Sequence, residues 1–253
     1  MDTTKIALVT GGSRGLGKDM ALAIAGKGLD VLLSYRSEAA GAAGTVAAIE
    51  ALGRKAFALP LDLAGAGAAE PFAAQVAAAL NSHFGGRKLD FLVNNAGIGG
   101  NIPFGTATEA QFDEFLNVHF KGVFFLTQAL LPHLADGGGI VNISTGTTRF
   151  VNPGYSIYAS MKGGIEVFTR YLAKELGPRG IRANVVAPGP IETDFNSAAI
   201  RNNPQLKERL AAMTPLGRVG NAEDVGGVVA FLCTDDARWV NGQRIEVSGG
   251  INV

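Results

Sequence analysis

Short apolar runs, rich in β-branched residues, alternate with longer alanine-rich stretches along almost the whole chain. The runs read KIALVT (5–10), VLLSY (31–35), KAFALP (55–60), LDFLVN (89–94), GIVNIS (139–144), RANVVA (182–187) and QRIEV (243–247). They are apolar nearly throughout rather than at every second position, as strands buried between two helix layers must be. Helix-length segments lie between them near 15–27, 39–52, 68–84, 108–134, 155–176 and 222–232. This alternation predicts right-handed crossovers and an α/β fold: a Rossmann-like, doubly wound parallel sheet of about seven strands with helices on both faces. No linker, charge block or internal repeat interrupts it, so one domain is expected over 1–253. The stretch between Pro188 and Pro215 is too long for a simple connection and predicts a lid, with the substrate loop at about 190–220.

Composition narrows the function. Lys plus Arg and Asp plus Glu are both 22, for a formal net charge of zero, so nothing points to nucleic acid or a membrane surface as partner. The single Cys233 excludes an internal disulfide, and His83, His119 and His133 have no ligand spacing, so no metal is expected. The N-terminus, Met1-Asp2-Thr3-Thr4-Lys5, has no basic leader and no long apolar core behind it, which predicts a cytoplasmic location.

The first strand runs straight into TGGSRGLG (10–17), and a helix follows. Gly11, Gly15 and Gly17, with Ser13, Arg14 and Leu16 between them, suit a tight turn that brings backbone N–H groups against a pyrophosphate at a helix N-terminus. The spacing is G-x-x-x-G-x-G, not the standard dinucleotide fingerprint. A carboxylate at the end of the second strand would bind a ribose 2′-hydroxyl and repel a 2′-phosphate; here the chain has Ser34-Tyr35-Arg36-Ser37. Arg36 and Arg14, with Ser37 beside them, favour NADP(H) over NAD(H), which stays possible.

In YSIYASMK (155–162), Tyr158 has a lysine, Lys162, one helical turn on, whereas Tyr155 has Ala159. That spacing alone allows an acid/base pair or an ordinary aromatic beside a solvated lysine.

The motifs TGGSRGLG (10–17), LDL (61–63), NNAG (94–97), LNVHF with Asn117, NIST (142–145), YASMK (158–162), APG (187–189) and NGQRIEVSGG (241–250) occur in order from end to end. Together they resemble the short-chain dehydrogenase/reductase family, in its single-domain branch of 3-oxoacyl and carbonyl reductases. The resemblance implies hydride transfer between a nicotinamide cofactor and a ketone or secondary alcohol, and a homotetramer. It also implies site roles. Asp62 and Leu63 would lie at the adenine; Asn94, Ala96 and Gly97 would support the cofactor and the central strand; Pro188, Gly189, Ile191 and Thr193 would flank the nicotinamide. Tyr158 takes the acid/base position, Lys162 holds the nicotinamide ribose, and Asn117 holds a water joining Lys162 to solvent. Counting thirteen back from Tyr158, where the family commonly has serine, gives Thr145, and fourteen gives Ser144, so either hydroxyl is a candidate donor to the substrate oxygen. A free tyrosine titrates near pH 10, too high for general acid/base work, and the Lys162 cation is expected to lower it.

Three other readings are weaker. Epimerases and dehydratases of the extended branch carry a C-terminal substrate domain that this chain lacks, and enoyl reductases of related fold separate Tyr and Lys further. A cofactor-binding sensor without catalysis is kept open only by the unusual Ser144-Thr145 pair. Phe150, Val151, Tyr155, Phe195 and Met213 suggest an apolar pocket wall, while Arg149, Arg201, Lys207 and Arg209 read as solvated charges. Helices at 108–134 and 155–176 are apolar on more than one side, as self-association would require.

Overall fold

The computed structural model describes residues 3–65 and 67–253; Met1 and Asp2 of the N-terminal reading lie outside it. Parallel strands β1 (Ile6–Val9), β2 (Asp30–Tyr35), β3 (Ala56–Pro60), β4 (Leu89–Asn94), β5 (Leu134–Ile143), β6 (Arg182–Pro188) and β7 (Arg244–Val247) form one sheet in the order β3-β2-β1-β4-β5-β6-β7. The seven expected strands are all present. β5 begins five residues before its expected start, because Gly138 lets the backbone run against Asp90: a Cβ there would lie 2.2 Å from the Asp90 carbonyl oxygen.

The pleat sorts the core into two layers. Ala7 and Val9 face helices α1 (Gly15–Gly26), α2 (Ala39–Ala51) and α9 (Ala222–Leu232), packing on Met20, Ile24, Ile49 and Val229. Ile6 and Leu8 face the opposite way, toward Phe72 and Val76 of α3 (Ala69–His83), Leu126 of α5 (Gly122–Leu130) and Leu172 of α6 (Ser156–Glu175). Both sheet faces are therefore dry, which is why the strands lack polar alternation.

The long helix expected over 108–134 is broken. Helix α4 (Glu109–Leu116), opened by a Thr108–Gln111 capping box, passes into a π-helical turn at Asn117–Lys121 before α5 begins. Gly122 permits the close approach, since a Cβ there would sit 2.5 Å from the Asn117 carbonyl oxygen and 3.2 Å from Leu63. π-turns of this kind are frequent at functional sites. The 190–220 insertion carries two short helices, α7 (Phe195–Asn202) and α8 (Pro204–Ala212). Among the described residues no helix is long and apolar enough to cross a membrane.

Strand order reverses between β1 and β4, so the segments leaving their C-terminal ends diverge and open a crevice there. The segments after β1, β4, β5 and β6 all carry candidate residues.

Candidate active site

The glycine loop after β1 is clamped from both sides. Gly12 N–H donates to the Ser34 carbonyl at 2.7 Å and Gly11 N–H to Ser34 Oγ at 3.2 Å. The Thr10 hydroxyl oxygen accepts from the N–H groups of Asn95 and Ala96, both at 3.0 Å. Gly11 and Gly15 have φ of +71° and +53°, and a Cβ on Gly17 would stand 2.1 Å from the Gly11 carbonyl oxygen. No side chain caps α1, whose N-terminal N–H groups lie at this loop. Arg14 and Arg36 are exposed, as is Ser37, and neither arginine forms an ion pair among the described residues. This bare, pre-shaped cradle with two unpaired guanidinium groups fits a dinucleotide carrying an extra phosphate. Ser13, by contrast, is buried, and Leu16 packs against the α1 side of the core.

The far wall comes from the end of β6. Gly189 packs so tightly on Ser248 that a Cβ would lie 2.8 Å from it, Ile191 bridges Gly220, and buried Thr193 stands across from Gly15. Pro188 ends the strand. Two expected adenine contacts are modified. The exposed Asp62 carboxylate accepts from the Ala64 N–H at 3.0 Å, and the Leu63 side chain is in the core, leaving only its backbone to face a ligand. Asn94 is structural: its amide donates to Thr127 Oγ1 at 3.1 Å and Asn142 Oδ1 at 2.8 Å, tying β4 to its neighbours. Gly97 is required by packing, because a Cβ would meet the His119 ring at 2.8 Å.

Tyr158 and Lys162 lie on one face of α6, as their spacing demands. Lys162 is buried, and its Nζ donates to the Ile143 carbonyl at 2.7 Å while lying 5.9 Å from the Tyr158 ring centre. Burial lowers the Lys162 ammonium to about 8. The Tyr158 phenol is pushed above its ordinary value by burial, with the Thr145 hydrogen bond opposing the rise and Tyr155 adding to it. Lys162 is thus not what tunes Tyr158 in the protein itself, contrary to expectation, because desolvation outweighs a cation that is itself engaged elsewhere.

The structure also separates the two candidate hydroxyls. Thr145 hydrogen-bonds Tyr158. Ser144 Oγ instead donates to Glu166 Oε1 at 2.7 Å, within a cluster that adds Thr148 Oγ1 at 2.7 Å and Arg244 Nε at 2.9 Å. The buried serine holds β5 to α6 and β7.

A second correction concerns Asn117. Its backbone carbonyl closes the π-turn by accepting from Gly122 N–H, but the side chain that meets Tyr158 is that of His119. Their rings are edge-on with centres 5.1 Å apart, and His119 senses the Lys162 charge. Residues 117 and 119 lie about 200° apart around a helix, so only one can face the tyrosine. That arithmetic was the available signal, and the motif drew attention to the wrong member of the pair.

Aromatic rings wall the site: Tyr155 at 6.4 Å, Phe195 at 6.2 Å and Phe115 at 6.4 Å from the Tyr158 ring centre. The Tyr155 hydroxyl accepts from Asn196 Nδ2 at 3.1 Å, tying the wall to the lid. Val151 is 90% exposed and Met213 47%, so neither is enclosed at the site in this conformation. Arg149, Arg201 and Lys207 pair with Glu246, Asp194 and Glu192, which supports their reading as ordinary surface charges.

Comparison with known proteins agrees with this architecture. The family model described as enoyl-(acyl carrier protein) reductase matches residues 11–252. The 3-oxoacyl-[acyl-carrier-protein] reductase of Staphylococcus aureus is 37% identical over 99% of each chain. The solved structure of LugOII, a promiscuous reductase catalysing keto-reduction at C1 during lugdunomycin biosynthesis, superposes with a TM-score of 0.92 at 39% identity over 98% of each chain. The angucycline C-6 ketoreductase LanV, solved with bound NADP, has a TM-score of 0.93 at 35% identity, covering 98% of this chain and 95% of its own. The protein belongs to the short-chain dehydrogenase/reductase family and is an oxidoreductase of that fold.

Proposed function

We propose that the protein is an NADP(H)-dependent ketoreductase, interconverting a ketone and a secondary alcohol with Tyr158 as the general acid/base. The observation that carries this is the Tyr158 phenol, hydrogen-bonded to Thr145 and one turn from buried Lys162, on the crevice that the glycine loop borders. Because burial raises its pKa, Tyr158 is a neutral phenol at physiological pH and holds the proton that the reduced carbonyl oxygen needs. Thr145 donates a second hydrogen bond to that oxygen as charge develops on it. Lys162 orients the cofactor ribose and favours the phenolate left after proton transfer. The nicotinamide cofactor, when bound, supplies the hydride. Gly11, Gly15, Gly17 and the α1 N-terminus bind its pyrophosphate, while Arg14 and Arg36 take the 2′-phosphate; NADP in LanV supports that preference.

The aromatic wall favours a ketone with an apolar or aryl flank, as the polyketide ketoreductases among the relatives also suggest. The enoyl chemistry in the family model's description is less well supported, because the tyrosine and lysine here stand a single turn apart. A homotetramer belongs to the same reading: Phe112, Phe125, Val167 and Tyr171 are 44%, 47%, 45% and 63% exposed on α4, α5 and α6. A monomer by light scattering would refute that part.

The test is NADPH oxidation, followed by absorbance, with a β-ketoester, a 3-oxoacyl thioester, an aryl ketone, an α-diketone and a sugar lactone. Turnover with at least one, preferring NADPH to NADH and falling about a hundredfold or more in Tyr158→Phe, is expected. Tight NADPH binding with no turnover would overturn the reading in favour of a binding-only protein.

A further inference from the structure

His119 is 1% exposed, in the π-helical turn, yet only one of its ring nitrogens has a partner. Nε2 lies 2.9 Å from the Ile98 carbonyl oxygen and 3.3 Å from the Ile98 N–H. The shorter contact decides the tautomer, since two lone pairs would repel at that distance: Nε2 carries the proton and donates to Ile98. Burial and the nearby Lys162 hold the ring well below its ordinary pKa, so it is neutral, and Nδ1 is a bare lone pair.

That lone pair has no hydrogen-bond partner among the described residues, a condition native interiors rarely tolerate. The groups around it are few. Tyr158 and Lys162 approach from α6, Phe115 from α4, and Gly97 and Ile98 from the segment after β4, with Tyr155 one ring further on. Lys162 is the one charge in this set. It has three N–H donors, of which the Ile143 carbonyl takes one. A buried donor in excess and a buried acceptor without a donor therefore stand in the same pocket.

We infer that His119 is a positioning residue of the reaction: its Nδ1 accepts a hydrogen bond from the Lys162 ammonium, directly or through one bridging water, and so holds the lysine beside Tyr158. This rests on the carbonyl-reduction reading above. In the cycle, Tyr158 passes its proton to the substrate oxygen, the phenolate recovers a proton from the Lys162 ammonium, and the resulting amine is reprotonated from solvent. His119 gains and loses no proton; it fixes the geometry of the donor. The role is the one expected of Asn117, supplied by a different residue with a lone pair rather than an amide.

The test compares His119→Leu, which fills the space without an acceptor, with His119→Asn, which restores one. Expected for His119→Leu is a fall in kcat of about a hundredfold, with the carbonyl KM little changed and the alkaline limb of the pH profile displaced. His119→Asn should recover most of the loss. Equal loss in both variants with an unchanged pH profile, or an effect on KM alone, would overturn the inference in favour of packing. A readout free of turnover uses the unmodified protein with 15N-labelled histidine, expecting a neutral Nε2–H ring whose Nδ1 resonance moves as Lys162 titrates near pH 8. An Nδ1 resonance indifferent to that titration, or a charged ring at neutral pH, would overturn it, even if the Leu variant does not fold. Absence of carbonyl turnover by the unmodified protein would refute the proposed reaction instead, and the spectra would still decide the hydrogen bond.

Discussion

Ser144 Oγ donates to Glu166 Oε1 at 2.7 Å, so the hydroxyl adjoining the Tyr158 site in sequence is committed to a buried carboxylate two turns along α6. Thr145, one residue on, is the side chain that hydrogen-bonds Tyr158. Thr145→Val should therefore lower turnover about a hundredfold, with Thr145→Ser retaining most of it. Ser144→Ala should leave kcat within a few-fold and cost about 1–2 kcal/mol of stability, because Glu166 loses one of its donors. Steady-state kinetics and urea denaturation of the variants separate the two effects.

The glycine loop makes a graded prediction. A Cβ at Gly17 would stand 2.1 Å from the Gly11 carbonyl oxygen and 2.5 Å from Asn95 Nδ2, so Gly17→Ala must displace the loop backbone. At Gly15 the nearest atom to a Cβ is 3.8 Å away, and only the φ of +53° opposes a side chain, at roughly 1–2 kcal/mol. Gly17→Ala should abolish measurable NADPH binding by fluorescence titration, while Gly15→Ala should weaken it moderately.

Arg36 is exposed and unpaired among the described residues, so its removal should not disturb the fold. Arg36→Ala is expected to raise the KM for NADPH about tenfold or more and to leave that for NADH nearly unchanged, one charge-assisted phosphate contact being worth about 1.5–3 kcal/mol. Equal effects on both cofactors would remove the 2′-phosphate assignment.

Buried titratable groups predict how stability of the cofactor-free protein varies at alkaline pH. Burial lowers Lys162 from 10.5 to about 8, so between those values the unfolded chain holds a proton that the native state has released, and stability rises with pH. Burial raises Cys233 from 9.0 to about 12, so above pH 9 the unfolded chain loses a proton that the native state keeps, and stability falls; Tyr158 acts in the same sense above pH 10. The expected curve climbs from about pH 8 to about pH 9, then turns over. Urea denaturation across this range checks it, and Lys162→Met should remove the climb.

In the lid, Asn196, Ser197 and Ala198 have φ of 54°, 56° and 54°, a left-handed stretch inside α7. Asparagine tolerates that region, but alanine pays about 1 kcal/mol for it. Ala198→Gly should therefore raise thermal stability, or leave it unchanged if the lid melts before the rest. A clear loss of stability would show that the left-handed segment is not the native conformation.

The strand order and the two dry layers were legible in the sequence because parallel strands covered on both faces must be apolar nearly throughout, and seven such runs alternating with helices admit few topologies. The glycine loop and the Tyr158–Lys162 face were legible for a similar reason: backbone clearance and helical periodicity are local properties. Tertiary structure alone decided which of two adjacent hydroxyls meets the phenol, since Ser144 is drawn to Glu166 and Arg244, side chains distant in sequence. It also decided that His119 rather than Asn117 faces the reacting pair, through a π-turn that Gly122 permits. Tyr158's raised pKa belongs there too, because it is set by how much water the pocket walls exclude, and no spacing along a chain specifies a dielectric environment.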